Sequence, residues 1–393
     1  MNRTQPRSTG IQPCLLAIAG MLFAALHLGC SGSDAGGKGR KGKTEGTKES
    51  RQVAVRAAAF SPDAKLLAVA IGPPEPIRKA ILPKQRTIQL WEVDSGKLLH
   101  TFQVHSPALF FGQNGKKLLA CHLDKVTIFD VAAGTKGAQN ALAGIPVGVM
   151  PDGKRILLYS DDAGERELAL WDPFSPKLLK KFSGTTYPAP GTAISPDGKW
   201  ALVPCTPHQV KPRAIDPTVL QIWDLSNGKL SCSLERETKL QGPLAFFPSS
   251  KYAVAQRLDE LRPDGKDHYS LVVLEIPSGK MNRVLEKPSR SRQEVGFSDN
   301  GKQLVICDEP GPKPSFAPPN LRRLEVESGQ ELWNVELAIK EEREGVMVSA
   351  LSSDASKFFR GSGEEFDINK LRLEIWDAVA GKKLRDLKSD PPE

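Results

Sequence analysis

The chain is poor in the residues that carry most chemistry. Six histidines and six cysteines are spread over 393 residues, and no two cysteines form a CxxC pair. A phosphate-cradling glycine loop, a nucleophile elbow, a zincin helix and an EF-hand loop are all missing. Each absence removes the simplest route to phosphoryl transfer, acyl transfer, metal-assisted hydrolysis or calcium binding. No catalytic residue, metal site or cofactor is expected. His100 and His105 are close neighbours, but His100 holds a strand position occupied elsewhere by Lys180, Arg283 and Arg385 and reads as polar and solvated. The longest apolar run, Leu15 to Leu28, has 14 residues, short of the roughly 20 that a membrane-spanning helix needs. A concentrated positive field is also lacking. Of the net charge of +8, Arg3 and Arg7 supply two and residues 30–51 three, which leaves +3 for the other 342 residues. That near-balance excludes an electrostatic footprint for nucleic acid.

What the chain has is turn formers, 34 glycines and 31 prolines, which argue against a helical bundle. Its first 29 residues read as an export signal: two arginines, the apolar run, then small residues ahead of Cys30. Leu26-His27-Leu28-Gly29-Cys30 resembles a bacterial lipobox, whose cysteine is lipidated and becomes the new N-terminus. The departure is His27, where the pattern usually has leucine. Lipidation at Cys30 and ordinary cleavage with release are the two readings. Residues 30–51 are rich in Gly, Ser and Lys, with no apolar side chain larger than Ala. They read as a flexible linker with an r.m.s. reach of about 25 Å.

Beyond the linker the sequence repeats. A large apolar residue followed by an acid recurs seven times, at Trp91, Phe129, Trp171, Trp223, Leu274, Leu324 and Trp376. Five residues later stands a glycine, or Pro176 in the third copy. Upstream of each pair lies a second signature, clear in AFSPDAK (59–65), VMPDGK (149–154), ISPDGK (194–199) and FSDNGK (297–302), weaker in FGQNGK, FFPSSK and LSSDAS. Proline and glycine there make a tight turn between two apolar runs. Each unit thus reads as four strands. The plug positions are 38, 42, 52, 51, 50 and 52 residues apart, near the ~40–50 of propeller blades. Residues 52–388 are therefore expected to form an all-β, seven-bladed propeller of four-stranded antiparallel blades, with 389–393 a short tail. The last blade owns its outer strand, Lys382 to Leu387, so closure by side-by-side packing of blades seven and one is expected.

By these motifs the chain resembles bacterial WD40-type repeat proteins. That family often carries a His-Ser-Asp-Trp hydrogen-bonded set in each blade, largely missing here, so apolar packing is expected to hold the blades. Cys121, Cys205, Cys232 and Cys307 are too far apart on the strand plan to pair and read as free thiols.

The loops between second and third strands are long in five blades: 71–86, 206–217, 258–269, 308–319 and 361–370. Strand alternation puts them all on one face of the disc, with tight turns on the other. Binding residues favour loops on a rigid scaffold, so the candidate site comprises Arg78, Lys79, Arg213, Asp264, Asp267, His268, Glu364 and Glu365. Their mixed signs suit a protein or peptide partner better than phosphate, and the expected partner is a protein or an envelope polymer. Tolerated insertion is the alternative. The linker joins blade one on this same face. The expected function is an exported interaction scaffold in the cell envelope, held on the periplasmic or outer face of a membrane by its N-terminal lipid. The alternative is a propeller enzyme or small-ligand binder, lactonase-like or of quinone-cofactor type, with a site at the central channel.

Overall fold

The computed structural model describes residues 54–72, 86–104, 108–122, 125–162, 165–182, 191–205, 219–234, 240–260, 268–289, 293–308, 319–337, 348–362 and 371–388. They form 28 strands. These pair in seven separate antiparallel sheets of four, each in plain sequence order. Blade one is Ala54–Phe60, Leu66–Gly72, Thr87–Glu92 and Leu98–Gln103; blade seven is Val348–Leu351, Lys357–Ser362, Arg372–Asp377 and Lys382–Leu387. The architecture is a seven-bladed β-propeller.

Burial follows position within the blade. Leu66–Gly72 (LLAVAIG), a second strand, is buried along nearly all its length, because neighbouring blades cover both its faces. Lys177–Phe182 (KLLKKF), a fourth strand, is mostly exposed. Seven apolar clusters fill the ring, one between each pair of consecutive blades. The plug side chain of every blade turns toward the blade before it. Trp91 packs toward blade seven, Phe129 toward blade one and Trp223 toward blade three; Trp171, Leu274, Leu324 and Trp376 follow the same rule. Each large side chain so buried contributes about 1.5–3 kcal/mol. The ring closes without strand exchange: Val55, Phe60 and Trp91 share a cluster with Val348, Phe359, Ile375 and Leu387.

The two sequence signatures are joined by backbone hydrogen bonds. The residue after each acid donates its N–H to the carbonyl that opens the second strand: Val93 to Lys65 at 2.8 Å, Leu225 to Lys199 at 2.7 Å, Ile276 to Lys251 at 2.8 Å, Ala378 to Ser356 at 2.9 Å. Blade three has Pro173 at that place and no N–H to give. The acid itself caps its turn. Asp130 accepts the Ala133 N–H at 2.8 Å, Asp172 that of Phe174 at 2.8 Å, Asp224 that of Ser226 at 2.9 Å and Asp377 that of Val379 at 2.8 Å. In the copies of the other turn that lack its glycine, Ala64, Ser250 and Ala355 take the left-handed conformation that Gly153, Gly198 and Gly301 take elsewhere. The turn survives because its geometry is held by hydrogen bonds such as Ser352 Oγ to Asp354 Oδ1, 2.6 Å.

One sequence reading is corrected. The fourth-strand position of His100, Lys180, Arg283 and Arg385 is not merely a solvated surface slot. Its side chain reaches over the last turn of the next blade. Lys180 donates to the Ser226 carbonyl at 2.9 Å. Arg283 donates to the carbonyls of Val326, 2.8 Å, and Glu327, 3.1 Å. Trp333 donates to that of Val379 at 2.9 Å. His100 lies over Gly134, Arg385 over Gly96 and Cys232 over Gly279. Blade three, whose turn has Pro176 for glycine, is reached instead by Asn140, which donates to the Pro173 carbonyl at 2.7 Å. Seven latches, of six different side-chain types, join the blades around the rim.

Candidate functional site

Antiparallel order sends every first-to-second and third-to-fourth turn to one end of the disc. At that end the seven tight turns touch around the channel mouth. Gln113 donates its backbone N–H to the Gly153 carbonyl at 2.7 Å. Asp197 donates its own to Ser250 Oγ at 3.2 Å, and Ser353 Oγ donates to the Pro62 carbonyl at 3.1 Å. This is the plain face. The other end receives the second-to-third connections and the links between blades.

Of the candidate residues on that elaborated face, Arg78, Lys79, Arg213, Asp264, Asp267, Glu364 and Glu365 lie outside the described residues, as does Cys30. His268 is described. It opens the third strand of blade five, His268–Glu275, half-buried, with Nδ1 3.6 Å from Glu260 Oε2. Its surroundings differ from the loop expected over 258–269: the second strand runs on through Tyr252–Glu260, so blade five stands taller than its neighbours. A register shift between Leu258 and Glu260 makes Asp259 the extra residue of a bulge, and such bulges re-aim side chains. Asp259 accepts from Arg257 Nε at 2.7 Å. In this hairpin Asp259 Oδ2, His268 Nε2 and Ser270 Oγ are buried with no hydrogen-bond partner.

The strands also hold polar groups that sequence reading passed over. Two residues before the plug stand Gln89, Thr127, Gln221, Arg322 and Glu374 in five of the seven blades. In blade four Gln221 Oε1 accepts from Trp223 Nε1 at 3.1 Å and from Cys205 Sγ at 3.3 Å. In blade six Arg322 holds Asp308 with two hydrogen bonds, 2.9 and 3.0 Å. In blade seven Glu374 lies 3.6 Å from the buried Arg360 and accepts from Trp376 Nε1 at 3.4 Å. Ser349 of blade seven hydrogen-bonds Glu294 of blade six. Buried polar pairs therefore supplement apolar packing, a device that the missing family network did not suggest. The signal was available as a polar residue at a fixed offset in strands that are otherwise apolar.

The plug residues Trp91, Phe129, Trp223, Leu274 and Leu324 are buried; Trp171 and Trp376 are partly buried. All act in packing. Cys121, Cys205, Cys232 and Cys307 are free thiols. Burial pushes the Cys121 thiol well up and raises that of Cys232. Among the described residues no group of three His, Cys, Asp or Glu is placed to hold a metal ion.

No family model and no curated protein matches the chain. Among solved structures, a chain of hydrazine synthase from Kuenenia stuttgartiensis is similar, with a TM-score of 0.54 and 13% identity, over 84% of this chain and 98% of that one. The likeness is one of fold.

Proposed function

We propose that the protein is an exported, WD40-like propeller, tethered to a membrane through a lipid on Cys30, that serves as a scaffold for a protein or envelope-polymer partner. The observation that carries this reading is the contrast between the two ends of the disc. One end is fourteen tight turns, two from each blade. The other receives the long connections and the raised hairpin of blade five, so a partner would meet most variety there. The leader and the lysine-rich linker support export and a tether.

The test is fractionation of cells expressing the wild-type chain and Cys30→Ser, followed by detergent extraction and co-purification. The reading expects the wild type in the membrane fraction with a recurrent partner, and the variant released. An unchanged membrane fraction for Cys30→Ser would sink the anchor, and extraction with no recurrent partner would sink the scaffold.

A second reading has one observation in its favour. The unpartnered buried atoms of Asp259, His268 and Ser270 offer hydrogen bonds to a small ligand, but they stand on the second and third strands of blade five and not at the central channel, where a lactonase-like or quinone-cofactor site is expected. Elemental analysis and an absorption spectrum of the purified protein decide it: a stoichiometric metal or a chromophore favours this reading over the scaffold.

A further inference from the structure

The elaborated end of blade five carries a group of polar side chains that packing does not explain. The bulge at Asp259 sets both Asp259 and Glu260 against His268 on the paired strand, since two consecutive residues of a bulge face one. One step deeper Arg257 stands opposite Ser270. Deeper still on the same face, Ala255 and Val272 belong to the apolar cluster between blades four and five. Arg257, Asp259, His268 and Ser270 therefore share one face above an apolar floor, at the ~5–8 Å spacing of cross-strand neighbours.

Three atoms of this group are buried and meet no hydrogen-bond partner: Asp259 Oδ2, His268 Nε2 and Ser270 Oγ. Their surroundings define what each can do. Arg257 directs both Nε and Nη2 to the same carboxylate oxygen, Asp259 Oδ1, each at 2.7 Å. Its Nη1 goes to Met281 Sδ at 3.4 Å. Oδ2 keeps its lone pairs, and a carboxylate oxygen only accepts. Glu260 Oε2 stands 3.6 Å from His268 Nδ1, which favours the imidazole proton on that nitrogen and leaves Nε2 an acceptor too. Ser270, 2% exposed, adds a hydroxyl oxygen. Buried polar atoms left unmet cost stability, so three of them on one face point to a partner that the chain does not itself provide.

We propose that this face of blade five binds the primary ammonium group of a small ligand. An ammonium has three N–H donors and no acceptor, one donor each for Asp259 Oδ2, His268 Nε2 and Ser270 Oγ. A metal ion matches less well. It takes roughly three or four protein ligands, and no group of three His, Cys, Asp or Glu is so placed among the described residues. Arg257 is one cation beside two acids, Asp259 and Glu260, which favours a charged donor over a neutral alcohol. Entry needs only side-chain motion. The Asp259 and His268 side chains lie at strand ends and are 20% and 23% exposed, so a rotamer change of either uncovers the acceptors. This site deepens the small-ligand reading and rests on it. It needs neither metal nor chromophore, so ammonium binding and the elemental and spectral tests fail separately.

The test is titration of the purified chain with n-butylammonium, followed by ligand-observed NMR. Tetramethylammonium, of the same charge without an N–H, and neutral n-butanol run beside it. Saturable binding of n-butylammonium at least about tenfold tighter than either is the expected result. Ser270→Ala should weaken it about tenfold or more. The same variant should melt no lower than the wild type without ligand, because alanine removes an unmet hydroxyl; a hydroxyl with a purely structural task would lower the melting temperature instead. Asn227→Ala, on the plain face, should leave binding unchanged. If Ser270→Ala loses its β-sheet circular dichroism, His268→Leu at the strand end gives the same test. Equal binding of tetramethylammonium or n-butanol, full binding by the Ser270 or His268 variant, or no saturation by n-butylammonium up to about 10 mM would overturn the assignment.

Discussion

Arg385, in the last strand of the propeller, lies across Gly96 in the first blade, its Cδ 2.8 Å from where a Cβ on Gly96 would stand. This contact is the rim latch that closes the ring, and it explains why glycine is kept there twice over. The backbone is left-handed at φ 70°, and the latch fills the space a side chain would need. Gly96→Ala is expected to cost about 2 kcal/mol in urea unfolding, the left-handed penalty and the displaced arginine together. In an Arg385→Ala background the same change should cost only about 1 kcal/mol. A double-mutant cycle checks the coupling, and additivity would deny the contact.

Two plug tryptophans differ in a way that stability measurements can read. Trp223 donates its indole N–H to Gln221 at 3.1 Å, whereas the buried Trp91 Nε1 has no partner. Trp223→Phe leaves Gln221 short of a donor, while Trp91→Phe removes an unsatisfied one. Trp223→Phe should be the more destabilising by about 1 kcal/mol in denaturant melts.

Asp354 gives the acid limb a sign. Burial alone would raise its carboxyl, but hydrogen bonds from Ser352 Oγ and the Ser356 N–H outweigh it and hold the pKa below the ordinary value. Its contribution is therefore complete above the unfolded pKa of about 3.9 and is lost as pH falls through the lower folded value. Asp354→Asn should flatten the fall in stability below about pH 4, measured as urea midpoints across pH. Asp299 shifts the opposite way, raised by burial and by the neighbouring Asp354, so Asp299→Asn should raise stability at neutral pH.

The thiols give a chemical check on the core. Cys121, Cys205 and Cys307 are buried and Cys232 is partly so, and none of the four is in a disulfide. Reducing agent is expected to leave the melting temperature unchanged. Under native conditions a maleimide should label Cys232 first and the other three only on unfolding. A shift in melting under reduction would reveal a bridge instead.

Much of this architecture is written in the sequence because a propeller repeats one local grammar. A plug, an acid and a glycine five residues on mark one turn, and a Pro-Asp-Gly turn marks the other, so blade number and the self-contained last blade follow by counting. The rim latches do not follow. Arg385, His100, Lys180, Trp333 and Asn140 share a role but no chemistry, and each partner belongs to another blade. Blade five shows the same limit. Leu258–Glu260 sits in a stretch rich in loop formers, yet it continues the strand because Tyr269 and His268 stand opposite. The polar residues two before the plug were legible as a pattern. Their partners, such as Asp308 for Arg322, come from a strand whose register only the folded blade defines.

The most direct measurement for the scaffold is photo-crosslinking in cells from a single probe on each face. One probe replaces Glu260, exposed on the raised hairpin of blade five, and the other Asn227, exposed on the plain face. The expected result is a recurrent protein or polymer adduct from position 260 and none from position 227. Adducts from both positions alike, or from neither, would contradict a scaffold that works through its elaborated face.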